Sequence, residues 1–215
     1  MNELFKRIFT STFLLFILIL CILNNIILSV ILLLIFYEML NEFHFLFKRI
    51  FKNKKKLLIY LSDLITLLII TYIVSSIWIA FINDVSDSKL IISIIVCICV
   101  ASDIGGYIFG KLFGGKKITK ISPNKTYSGM VGSYFLSIIV VFFFFKTYLS
   151  LDLIFFYTIL ISTISQIGDM FISYLKRLAK VKDTGIILPG HGGLLDRIDG
   201  VIFVLPVAYL INKIF

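Results

Sequence analysis

SYLKRLAKVKDTGIILPGHGGLLDRID, residues 173–199, is where the chain departs from an otherwise lipid-soluble composition. It carries the bases Lys176, Arg177, Lys180, Lys182 and Arg197, the acids Asp183, Asp196 and Asp199, His191, and the glycine pair Gly192 and Gly193. Apolar segments flank it on both sides. A charged, glycine-bearing loop in that position is either plain solvated connection or a site built at a membrane surface, and the rest of the chain decides between them.

Of the 215 residues, 60% are hydrophobic and 15% aromatic, well above soluble proteins. The apolar runs are long enough to cross a hydrocarbon core as helices, which takes about 20 residues, and no alternating pattern suggests a barrel. The expected fold is an all-α polytopic membrane protein of about seven transmembrane helices, with cytoplasmic polar loops forming the site. Twenty-one bases against 12 acids leave a net charge of +9, which topology explains without nucleic acid. Cys21, Cys97 and Cys99 lie in apolar runs, where a thiol behaves as a small hydrophobe, and form no zinc or disulfide pattern. Lys6 and Arg7 before an apolar run imitate a signal peptide. No cleavage signal follows, so this segment reads as a retained first helix.

Residues 8–23 and 26–40 read as a helical hairpin turning at Asn24 and Asn25, each arm short for a full span. The basic run 48–56 belongs on the cytoplasmic side by the positive-inside bias. Residues 57–82 read as one tilted helix; the loop 83–89 is net acidic and suits the far side. Crossings are expected at 90–110, 129–145 and 151–175, with a last helix at about 200–214. Placing the N-terminus and the loops 48–56, 111–125 and 176–197 in the cytoplasm accounts for every base except Lys89, Lys146 and Lys213. The expected division is residues 1–95 as N-terminal membrane helices and 96–215 as a catalytic membrane region. The expected location is the inner, cytoplasmic membrane.

Ser162, Ser165, Gln166, Asp169 and Ser173 form one stripe at helical spacing. The serines suit helix packing, whereas a carboxylate such as Asp169 must face the bundle or a wet cavity. Asp103 repeats the problem on the preceding helix, beside Gly106 and Gly110, whose spacing suits close packing and permits a homodimer. In GGKKITKISPNKTYSG, residues 114–129, Lys116, Lys117, Lys120 and Lys125 suit anionic lipid. Ser122, Pro123 and Gly129 suggest a shaped backbone presenting amides to phosphate.

Asp196 and Asp199 are three apart and share one face of a helical turn. Either Arg197 neutralises one of them or a cation joins them, and Mg²⁺ is held by one or two carboxylates plus substrate phosphates. His191 has no second histidine nearby, since His44 lies in the other half, which excludes a histidine-based zinc site. No serine-hydrolase elbow and no Walker-type phosphate loop occur. Together these features suit phosphate chemistry on a substrate that the membrane delivers.

The spacing of Ser173, Lys176, Arg177, Lys182, Asp183, Gly185, Pro189, His191, Gly192, Gly193, Asp196, Arg197 and Asp199 resembles the phosphatidate cytidylyltransferase (CDP-diacylglycerol synthase) family. Asp103, Tyr107, Gly110, Gly114, Lys117, Ser122, Pro123, Lys125, Thr126, Gly129 and the QIGD ending at Asp169 extend the resemblance over about residues 100–215. Ile104 stands where that family usually has Thr; Ser128 and Ile172 stand where it usually has Glu.

The resemblance implies transfer of CMP from CTP to phosphatidate with Mg²⁺, and leaves room for a second cation. It implies metal ligation by Asp169, Asp196 and Asp199, and catalytic roles for Lys182, Asp183, His191 and Arg197. Substrate binding would fall to Asp103, Ser122, Lys125, Ser173, Lys176, Arg177, Gly192 and Gly193. The partners implied are CTP, phosphatidate and membrane lipids. Competing readings are a CTP-dependent enzyme on another lipid, including a polyprenol-type kinase, and an ion-coupled transporter using Asp103 and Asp169.

Overall fold

A backbone in lipid must satisfy its own hydrogen bonds, and long apolar runs do so as helices. The computed structural model describes residues 3–51, 55–82, 86–119, 122, 125–147, 150–187 and 192–214. Among them are seven helices and no strand: α1 (Glu3–Leu23), α2 (Asn25–Ile50), α3 (Lys56–Ile82), α4 (Ser86–Phe113), α5 (Tyr127–Phe145), α6 (Leu151–Leu178) and α7 (Leu195–Ile214). Five of them, α2 to α6, are long and apolar enough to cross a membrane, and α1 carries the shorter apolar stretch Thr12–Leu23. The protein is an integral membrane protein of helical, polytopic type.

The helices run further than the apolar runs. The break between α1 and α2 is the single residue Asn24, in extended conformation, whose Oδ1 accepts from the N–H groups of Ile26 at 2.8 Å and Ile27 at 3.3 Å. From there α2 continues for 26 residues, so this arm is not short, because Glu38 and Glu42 are good helix formers. Residues 57–82 do form one helix, α3. At its other end α6 reaches Leu178 and closes with a left-handed residue, Lys180 at φ 57°. The N–H of Val181 donates to the Lys176 carbonyl at 3.0 Å and that of Lys180 to the Arg177 carbonyl at 3.1 Å. This pair of bonds is the Schellman arrangement, usually made with glycine.

The chain divides into two units. The first holds Met1–Lys89 and Leu175–Ile198, the second Leu90–Tyr174 and Asp199–Phe215. In the first, α2 buries Leu28, Leu32, Met39, Phe43 and Leu46. His44 Nδ1 lies 2.7 Å from Asp63 Oδ2 on α3. In the second, Ile94, Ile95, Ile98 and Cys99 of α4 pack with Val141 of α5, Ile154 and Ile161 of α6 and Val204 of α7. A Cβ at Gly105 would strike the carbonyl oxygen of Gly132, and one at Gly106 would lie 2.8 Å from Ser133 Oγ. The glycine spacing of α4 is thus taken up by α5 of the same chain. Cys21, Cys97 and Cys99 are free thiols.

Candidate functional site

The first unit contains most of the stretch 173–199, and its centre is a carboxylate. Asp196 Oδ2 accepts from the N–H of Thr184 at 2.8 Å and the N–H of Gly193 at 3.0 Å, and lies 3.0 Å from the Thr184 hydroxyl, whose one proton it shares with Glu42; Oδ1 accepts from Lys176 Nζ at 2.7 Å. Burial pushes the Asp196 pKa up, but Lys176 and the amides of Thr184 and Gly193 outweigh it and hold the carboxyl below its ordinary value. Hydrogen bonds of this kind favour the charged form of a carboxylate. Of the three expected metal ligands, Asp196 therefore has both oxygens engaged by the chain's own donors, and it orders the loop.

Glycine is required around this carboxylate. Gly192 sits at φ +88°, and a Cβ there would lie 2.9 Å from Asp196 Oδ2 and 3.1 Å from Asp183 Cβ. At Gly193 a Cβ would fall on Thr184 Oγ1. The close backbone approach expected of this pair is made to protein atoms. Lys182, Asp183, Arg177 and Arg197 are exposed. His191 and Pro189, with Pro123 and Lys120 of the other loop, lie outside the described residues.

Glu42, which the sequence does not single out, completes this arrangement. It is 4% exposed and accepts from the N–H groups of Leu194 and Leu195, both at 2.8 Å, and from the Thr184 hydroxyl at 2.7 Å. With the N-terminal amides of α7 satisfied in this way, the helix starts at Leu195, ahead of the apolar run near residue 200. A glutamate within an apolar helix, EMLNEF at residues 38–43, was the available signal, since such a residue requires a partner.

The second unit holds the other carboxylates. The Asp199 carboxyl is within hydrogen-bonding reach of Asp169 and within electrostatic range of Asp103. Lys125 forms an ion pair with Asp169 Oδ2, and Ser173 Oγ donates to Asp169 Oδ1 at 3.5 Å. The stripe on α6 faces inward as its spacing requires: Ser162 and Ser165 are buried, and Ser162 Oγ meets Ser102 Oγ at 2.9 Å and accepts from Gln166 Nε2 at 3.2 Å. Gly168 and Gly200 admit this packing, since a Cβ at Gly168 would lie 2.6 Å from Phe203 and one at Gly200 would strike Ser165 Oγ.

Lys125 is held by a folded loop. Gly114 and Gly115, at φ +58° and +106°, turn the chain out of α4. Lys117 bridges Thr126 in antiparallel fashion, and the N–H of Lys125 donates to the Ser122 carbonyl at 3.1 Å. Thr126 caps α5 by accepting from the N–H of Gly129 at 3.1 Å. Ser128 donates its hydroxyl proton to the Gly114 carbonyl, so this departure from the family pattern ties the loop's two ends. Ile172, the other replaced carboxylate position, is fully buried, and Ile104 is exposed. Among the described residues, no three His, Cys, Asp or Glu side chains are grouped closely enough to hold a metal ion by themselves.

These features define a polytopic helical membrane protein with a carboxylate-ordered loop in one unit and a lysine-paired carboxylate cluster in the other. The model of the Cytidylyltransferase family matches residues 2–215, and the chain belongs to that family. It is 47% identical over 110 residues to a protein of Staphylococcus haemolyticus named phosphatidate cytidylyltransferase, and 47% identical over the same length to the protein of that name in Staphylococcus saprophyticus. The Staphylococcus aureus protein of that name is 44% identical over 110 residues. Each match covers 49% of this chain and 42% of the relative's own length.

Proposed function

We propose that this chain transfers CMP from CTP to phosphatidate, giving CDP-diacylglycerol and pyrophosphate. The observation that carries this reading is the Lys125, Asp169 and Asp199 cluster, found in a chain that resembles proteins named for that reaction. A phosphate oxygen of phosphatidate forms a bond to the α-phosphorus of CTP, and the bond from that phosphorus to the bridging oxygen of pyrophosphate breaks. The nucleophile is already an anion, so no strong general base is needed. Catalysis rests on alignment and on neutralising charge.

The donor set fits a divalent cation. Asp169 and Asp199 are carboxyl groups in mutual contact, a pair of oxygen donors of the kind a hard divalent cation takes. Mg²⁺ takes one or two carboxylates and completes its shell with water and phosphate oxygens, so Asp169 and Asp199 would hold it. When bound, it would neutralise charge on the triphosphate. Lys125 adds a second positive charge at Asp169. In the first unit, exposed Lys182, Arg177 and Arg197 are assigned to phosphate, and Asp183 and His191 to orienting them. Lys176 is committed to Asp196 and holds the loop. The concentration of bases in the polar loops supports a cytoplasmic site.

The test is a membrane or nanodisc assay with α-labelled CTP, phosphatidate and Mg²⁺. Formation of labelled CDP-diacylglycerol with release of pyrophosphate is expected. A phosphorylated lipid with release of CDP would instead identify a kinase, and ion flux in liposomes without CTP a transporter.

A further inference from the structure

Glu42 takes up donors that would otherwise be free to bind anions. A helix N-terminus presents amide hydrogens and a partial positive charge, which attract phosphate. At the start of α7, Glu42 Oε1 accepts from the N–H of Leu194 and Oε2 from that of Leu195, while Asp196 accepts from that of Gly193. Thr184 joins the two acids, its hydroxyl 2.7 Å from Glu42 Oε2 and 3.0 Å from Asp196 Oδ2. Asp196 in turn is paired with Lys176. Four segments of the first unit, represented by Glu42, Lys176, Thr184 and Gly193 to Asp196, thus share one hydrogen-bonded network.

The chemistry of this network is selective. The groups bonded to Glu42, the N–H of Leu194 and Leu195 and the Thr184 hydroxyl, all donate to it, and a carboxylate is the side chain that only accepts. A glutamine would turn its NH₂ toward an N–H and leave at least one buried donor without a partner. Space is equally restricted, because a Cβ at Gly185 would lie 2.7 Å from Glu42 Oε1 and one at Gly193 would lie 2.6 Å from it. Two glycines of the signature stretch are therefore fixed by a residue about 140 positions earlier, as the separation of Glu42 from Thr184 records.

We infer that Glu42 is a positioning residue for the proposed transfer: its carboxylate fixes the loop and helix start that present Lys182, Asp183 and Arg197. This rests on the functional reading above. The atoms it holds, at Thr184, Leu194 and Leu195, lie between Lys182 and Asp183 on one side and Arg197 on the other. Loosening them moves Lys182, Asp183 and Arg197 without removing any of them, and misplacement of about 1 Å is enough to cost catalysis heavily.

The test uses the full chain in nanodiscs, as wild type, Glu42→Gln and Thr184→Val. For Glu42→Gln we expect kcat to fall about tenfold or more with the KM for phosphatidate nearly unchanged, the pattern of a lost transition-state alignment. Thr184→Val removes one donor and should lose less. Hydrogen exchange should quicken at Leu194 and Leu195 in Glu42→Gln while α3 keeps its protection.

A folded Glu42→Gln with wild-type kcat overturns the inference. So does a loss of activity that only follows the folded fraction. If Glu42→Gln does not fold, wild-type kcat in Thr184→Val overturns it. A wild type that makes no CDP-lipid defeats the functional reading instead; the exchange data then still decide whether Glu42 holds this loop.

Discussion

Lys176 Nζ lies 2.7 Å from Asp196 Oδ1, with the two side chains 16% and 6% exposed. Removing Lys176 leaves Asp196 with its amide donors but no opposite charge, and Lys176→Met should destabilise the protein by about 3 kcal/mol. The pH dependence follows from the lowered pKa of Asp196, below its ordinary value of 3.8. A depressed folded-state pKa contributes stability that is present above the unfolded value and lost as pH falls through the folded one. The gap in unfolding midpoint between wild type and Lys176→Met is therefore expected to be full at pH 7 and to narrow below about pH 4. A gap of constant size would mean that Lys176 acts through packing alone.

Asp169→Asn and Asp199→Asn each replace a carboxyl oxygen donor in the cluster at which Lys125 is held. In the proposed reaction each should lower CDP-diacylglycerol formation by about 100-fold or more, the scale of losing a preorganised electrostatic contact. Lys125→Met should also lower it, and raising Mg²⁺ should recover part of that loss but none of the loss in Asp169→Asn. Initial rates across a Mg²⁺ titration separate these cases.

Lys180 adopts φ 57° at the end of α6, where a β-carbon is strained and glycine is not. Lys180→Gly should raise stability by about 0.5–1 kcal/mol, read as a higher unfolding midpoint in detergent. Unchanged or lower stability would place a specific contact on the lysine side chain.

Gly105 and Gly132 bring the α4 and α5 backbones together, since a Cβ at the first would strike the carbonyl of the second and one at the second would strike Phe109. Gly105→Ala and Gly132→Ala should each cost about 1–3 kcal/mol through overpacking. Gly114→Ala, in open space but at φ +58°, should cost less and through the backbone alone. Unfolding midpoints of the three variants test that order.

The membrane class, the helical architecture and the inward stripe of Ser162, Ser165, Gln166 and Asp169 follow from composition and from a period of 3.6 residues, both local properties of the chain. The stretch holding Lys176, Asp183, Gly193 and Asp196 stood out by its charge and glycines, and its spacing through a resemblance to a known family. Tertiary structure decided what those residues touch. Asp196 is the acceptor that folds the loop around Lys176 and Thr184, and Glu42, marked in the sequence only as a glutamate in an apolar helix, is its counterpart. Long-range partnership leaves no periodic trace in a single sequence. Only folding brings residue 42 to residue 195 and turns a glutamate in an apolar helix into the cap that sets where α7 begins.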